Sequence, residues 1–106
     1  MNDLSVGVPF SGCEKYYCDI NVIATREDEA LAICAGAWLA GKSPIAYMQN
    51  SGLGNSIDVI TSLLVPYKIK FPVLVKHRDS PQHHALMGKI TNDLERLLEY
   101  GMFRNC

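Results

Sequence analysis

An α/β domain, built on an open, mostly parallel sheet with helices on both faces, is the fold class this sequence predicts. Two features predict it: short runs of consecutive apolar residues, and amphipathic helical segments that alternate with them. Strands covered on both faces read as continuous apolar runs, and parallel neighbours need a crossover long enough to hold a helix. With 106 residues, 48% of them apolar and 20% charged, the chain is expected to form one domain over 1–106.

Each element follows from local pattern. Ser5–Pro9 is a first strand running into a turn with Gly12, and Asn21–Ala24 is a second. Thr25–Ala40 is a helix, with Leu31, Cys34, Ala35 and Trp38 at the spacing of one buried face. Thr25 and Asp28 form a T-x-x-D capping pattern, and Gly41 stands where a helix ends in a left-handed residue. Ile45–Met48 is a third strand that ends in MQNSGLGNS. A helix over Asn55–Val65 follows, with Asn55 or Ser56 as its cap, Ile57, Ile60 and Leu64 on one face, and Pro66 closing it. Phe71–Lys76 is a fourth strand, where Pro72 is tolerated only at an end or an edge. After the loop HRDSPQHH a last helix runs through Tyr100, carrying Leu86, Ile90, Leu94, Leu97 and Leu98, and Gly101 ends it. Four short strands leave one sheet edge bare, and a bare edge favours a neighbour.

Charge narrows the partners. The formal net charge is −1 with no block of like charges, which excludes a nucleic-acid surface and an anionic membrane as natural partners. No apolar run approaches a bilayer span, and MNDLSVGVPF has neither the basic start nor the apolar core of a secretion signal, so the cytoplasm is expected. Cys13, Cys18, Cys34 and Cys106 form no CxxC pair and no zinc spacing with the histidines; Cys34 reads as a small core residue, and no metal site is expected within this chain.

Ligands of open parallel sheets sit beyond the carboxyl ends of the strands. Three polar clusters occupy such ends: Thr25–Glu29, Gln49–Asn55 and His77–His84. In the second, the absence of a Gly-Lys-Ser/Thr and of a third glycine argues against a nucleotide loop. What it offers is a glycine-rich turn, where Gly52 and Gly54 allow close backbone approach, with the uncharged donors and acceptors of Gln49, Asn50 and Asn55 around it. Two readings are open for Glu27: a helix-start acid that complements the dipole, or a carboxyl held near a ligand with a raised pKa. His83 and His84 likewise read either as solvated helix-start residues or as neutral imidazoles that position a carboxylate or relay a proton.

These stations together resemble one family. The stretch ATREDEALAICAGAWLAGKSPIAYMQNSGLGN, followed by LLVPYKI and HR and preceded by GVP, is similar to the pyrimidine-binding domain of thiamine-diphosphate-dependent 2-oxoacid decarboxylases. Within that family it looks most like the alpha subunits of sulfopyruvate decarboxylase, with phosphonopyruvate decarboxylases next. The resemblance runs from Gly7 to about Leu98, with MQNSGLGNS its most specific part, and implies a short version of that domain. It implies that Glu27, nine residues before Gly36, contacts N1′ of the cofactor's aminopyrimidine and promotes loss of the thiazolium C2 proton. It implies that Gln49, Asn50, Ser51, Gly52, Gly54 and Asn55 form a wall of the cofactor pocket, that His84 and His83 handle substrate and protons above the thiazolium, and that His77 and Arg78 meet an anionic substrate tail. The substrate implied is 3-sulfopyruvate, with 3-phosphonopyruvate the alternative. The family holds the diphosphate and its Mg2+ through a Gly-Asp-Gly…Asn pattern that this sequence lacks, so a beta subunit is expected to carry both. A binding or regulatory module that kept the fold without the chemistry, and a small phosphate-binding domain that works alone, are the competing classes.

Overall fold

The computed structural model describes residues 3–10, 20–80, 82–98 and 101–105. Five parallel strands, β1 (Leu4–Gly7), β2 (Val22–Ile23), β3 (Pro44–Gln49), β4 (Val73–Lys76) and β5 (Phe103–Asn105), form one sheet in the order β2-β1-β3-β4-β5. Helix α1 (Glu27–Leu39) packs on β1, β3 and α2. Helix α2 (Ser51–Val59) continues into a π-helical turn over Ile60–Leu64, and a short 3-10 turn at Gln82–His84 leads into α3 (Ala85–Leu98). Among the described residues no helix is long and apolar enough to cross a membrane. Cys13, Cys18, Cys106, Gly12 and Tyr100 lie outside the described residues.

The core lies between the sheet and the first two helices. Val6, Ala46, Met48, Val73 and Val75 of the strands meet Leu31, Cys34, Ile60 and Leu64 of the helical layer. Cys34 is part of this core, and burial pushes its thiol up to about 12, which leaves it unreactive. Gly41 closes α1 with φ +89, while the Lys42 N–H reaches back to the Ala37 carbonyl, a left-handed glycine cap.

Several expectations need correction. The sheet has a fifth strand, Phe103–Asn105, seated against β4 with Val73 opposite Phe103, so β4 is not an edge. Pro72 precedes β4 rather than standing in it, and its carbonyl still accepts the Ala46 N–H at 3.1 Å. Helix α1 starts at Glu27 without a side-chain cap from Thr25; instead Glu29 Oε1 reaches back to the Thr25 N–H at 2.7 Å. Trp38 is partly exposed rather than core. Helix α2 starts at Ser51, so Gly52 and Gly54 lie inside its first turns and not in a preceding loop. Neither Asn55 nor Ser56 caps it: the Ser56 hydroxyl donates to the Gly52 carbonyl one turn back, and Asn55 points to another helix. On α3, Leu86, Ile90 and Leu97 are exposed, and the buried residue is Thr91.

Candidate active site

The strand order reverses between β1 and β3, and the crevice beyond their carboxyl ends is where ligands of such sheets bind. Helix α1 delivers Glu27 there as its first residue, and α2 delivers Ser51–Asn55. The two helix starts meet tightly. A Cβ built on Gly52 would land on Cγ of Glu27, 2.9 Å from its Cδ and 3.0 Å from its Cβ. Gly52 carries no positive φ, so this glycine is set by space and not by backbone conformation. The Glu27 carboxylate lies across it, half-buried, and Oε1 accepts a hydrogen bond from Asn55 Nδ2 at 3.0 Å. No hydrogen bond from the described residues reaches Oε2. Gly54 is exposed, and a Cβ built on it would meet nothing within 4 Å; Gln49 Nε2 donates to Ser51 Oγ at 2.9 Å.

Asn50 turns the other way from Asn55. Its side chain is fully buried and its amide is committed internally: Oδ1 accepts the Arg78 N–H at 3.1 Å, while Nδ2 donates to the Arg78 carbonyl at 2.9 Å and to Thr91 Oγ1 at 2.7 Å. The glycine stretch therefore reaches in two directions, through Gly52 and Asn55 to Glu27, and through Asn50 to the loop after β4.

That loop holds the remaining candidates. His77 Nε2 lies 3.2 Å from Glu95 Oε1 of α3. His77, Arg78, Asp79, Gly88 and Asn92 line a polar cavity of about 240 Å³. His83 and His84 are in ring contact at 4.1 Å, His83 exposed and His84 buried. Loss of hydration holds the His84 pKa below its ordinary value, and the charges of His83 and Arg78 push it the same way. Both effects favour the neutral imidazole. Among the described residues no hydrogen bond or ion pair joins Glu27 to His83 or His84; from the start of α2, Asn50 reaches the loop after β4 at Arg78. A second cavity, of about 250 Å³ beside Trp38, Lys42 and Lys70, opens at the opposite, amino ends of β3 and β4 and takes no part in this arrangement. No group of three or more His, Cys, Asp or Glu among the described residues is arranged to hold a metal ion.

Sequence reasoning missed Thr91, Glu95 and Gly88. Gly88 left a readable trace: a glycine inside a helix costs about 1 kcal/mol relative to alanine, which asks for a reason. The reason is contact, since a Cβ at Gly88 would stand 2.5 Å from Asp79 Cβ and 3.0 Å from the Arg78 carbonyl oxygen. Thr91 and Glu95 left none, because their partners are far away in sequence.

No protein-family model matches the chain. It is 54% identical, over 56% of its length and 35% of the other protein's, to the sulfopyruvate decarboxylase subunit alpha of Methanocaldococcus jannaschii. With the protein of the same name from Methanococcus maripaludis the identity is 47%, over 78% of this chain and 52% of the relative. A phosphonopyruvate decarboxylase of Streptomyces viridochromogenes is 51% identical over 66% of this chain and 19% of its own length. The chain spans about half, or less, of the curated relatives it matches. A match covering 78% of 106 residues necessarily takes in both Glu27 and Gln49–Asn55. Over these spans the chain is a homologue of named carboxy-lyases.

Proposed function

We propose that this chain is the pyrimidine-binding, alpha side of a thiamine-diphosphate-dependent decarboxylase that converts 3-sulfopyruvate to sulfoacetaldehyde and CO2. One observation carries the reading. The Glu27 carboxyl is laid across the bare Gly52, with one oxygen fixed by Asn55, in a span homologous to subunits named for that reaction. Such a carboxyl has the chemistry that an aminopyrimidine ring nitrogen requires: a short, fixed proton donor or acceptor at a helix start.

When bound, thiamine diphosphate supplies the nucleophilic carbon and the electron sink for decarboxylation. The residues of this chain fit its aminopyrimidine end. Glu27 would hold or pass the proton at the ring nitrogen, Asn55 would keep the carboxyl turned toward it, and Ser51 and Gln49 would line the wall beside it. His84, kept neutral, suits proton handling at the substrate, with His83 against its ring. Arg78 and His77 suit the sulfonate, which a guanidinium can meet through two hydrogen bonds. The diphosphate end finds no such fit, because no Gly-Asp-Gly…Asn occurs in the sequence and no metal-ligand group stands among the described residues. We therefore assign the diphosphate and Mg2+ to a beta subunit, in keeping with relatives that are named as alpha subunits.

The test mixes this chain with a candidate beta subunit, thiamine diphosphate, Mg2+ and 3-sulfopyruvate. CO2 release is expected, and Glu27→Gln should lower kcat by about 10²–10⁴-fold while the two subunits still assemble. No turnover of 3-sulfopyruvate or of 3-phosphonopyruvate contradicts the reading. Turnover of the phosphonate alone moves the assignment to that substrate, which the 51% identity to a phosphonopyruvate decarboxylase also supports.

A further inference from the structure

Strand β3 pairs with β4 as far as Gln49 opposite Lys76, and the Asn50 N–H adds one more bond to the Lys76 carbonyl at 2.9 Å. There the chain turns into α2 and its backbone can no longer extend the ladder. The Asn50 carboxamide extends it instead. It serves both the N–H and the C=O of Arg78, as the flanking peptides of a parallel neighbour would. Its remaining amide hydrogen goes to Thr91 Oγ1, and the Thr91 hydroxyl donates in turn to the Met87 carbonyl. On its other side the loop lies against Gly88, where no side chain would fit. A partly exposed loop is thus fixed at one backbone position from two elements, by a residue that is itself fully buried. Burying an amide is costly unless its hydrogen bonds are made, and among the described residues no buried side-chain N or O atom lacks a partner.

We infer that Asn50 is a positioning residue for Arg78, fixing its backbone so that the guanidinium meets the anionic tail of a 3-substituted pyruvate at the polar cavity beside His77 and Asn92. For its substrate the inference rests on the decarboxylase reading; for its geometry it stands alone. Asn50 never touches the substrate and acts only through Arg78. Two-point recognition of a sulfonate by a guanidinium tolerates little displacement, so freeing the loop should weaken tail binding and leave the chemistry at Glu27 untouched.

The assay uses the complex with the beta subunit and compares Asn50→Asp, which keeps the acceptor but loses both donors, with Thr91→Val, Arg78→Ala and the Asn50→Asp/Arg78→Ala pair. KM for 3-sulfopyruvate should rise about tenfold or more in Asn50→Asp and Arg78→Ala with kcat within about threefold, the pattern of lost binding rather than lost chemistry. The pair should be no worse than Arg78→Ala alone, because residues acting through one another are not additive. An unchanged KM, a fall in kcat alone, or additive losses overturns the inference. If the unaltered complex fails to turn over, the decarboxylase reading falls, and the clamp is judged by hydrogen exchange at the Arg78 amide. Thr91→Val, which removes only one hydroxyl, and Asn50→Asp should each speed that exchange about tenfold. Unchanged exchange there overturns the clamp as well.

Discussion

Helices α1 and α3 have opposite relations between pattern and burial. α1 is apolar nearly all round and lies deep, with Ala30, Leu31, Cys34 and Ala35 buried against the sheet and α2. α3 has the sharper division into apolar and polar faces, yet only Thr91 is buried, while Leu86 and Leu97 are 71% and 74% exposed. Small side chains let α1 approach closely from both sides. α3 touches the core through the partly buried Leu98 and is otherwise held by polar and glycine contacts: Thr91 to Asn50, Glu95 to His77, and Gly88 under Asp79. An amphipathic pattern shows that a helix has an apolar side; it does not show that its own chain covers that side.

The difference can be broken by substitution. Leu31→Ala on α1 should cost about 2–5 kcal/mol in chemical denaturation, since it opens a cavity in a close-packed core. Thr91→Val on α3 should cost about 1–3 kcal/mol, because it leaves the buried Asn50 amide without one partner. Leu97→Ala should change stability by no more than about 0.5 kcal/mol, as expected of an exposed position. A loss from Leu97→Ala as large as that from Leu31→Ala would erase the contrast.

A smaller effect involves pH. The folded His84 pKa lies below 6.5, so between that value and 6.5 the unfolded chain binds a proton that the folded one does not. Stability should therefore fall as pH drops through 6.5 and level off below the folded pKa. Thermal midpoints taken from pH 8 to 5 check this, and His84→Gln should flatten that part of the profile. A profile identical to that of His84→Gln would show that burial of this ring has no effect.

Much of the fold was legible. Continuous apolar runs gave four of the strands, and Gly41 marked the end of α1. The fifth strand was not, because Phe103–Asn105 is too short for a pattern and becomes a strand only by pairing with β4. Of the candidate site, the sequence showed the polar stations at the strand ends and not the contacts among them. Glu27 and Gly52 were both singled out, but the glycine was read as part of a tight turn open to a ligand when it is a helical position kept bare for a neighbour. For Asn50 the sequence shows an amide at a strand end and not that its side chain turns inward to Arg78 and Thr91. Thr91 and Glu95 become visible only once α3 lies across the loop after β4.

The central claim is that Gly52 is bare to make room for Glu27, and a double-mutant cycle in thermal or urea unfolding tests it most directly. Alone, Gly52→Ala should destabilise by about 1–3 kcal/mol, the usual cost of overpacking. In a Glu27→Gly background the same change should become neutral or stabilising by up to about 1 kcal/mol, because Cβ, Cγ and Cδ of residue 27 are all gone and alanine is the better helix former. An equal effect of Gly52→Ala in both backgrounds would mean that Glu27 does not lie across Gly52, and the account of the site would fail with it.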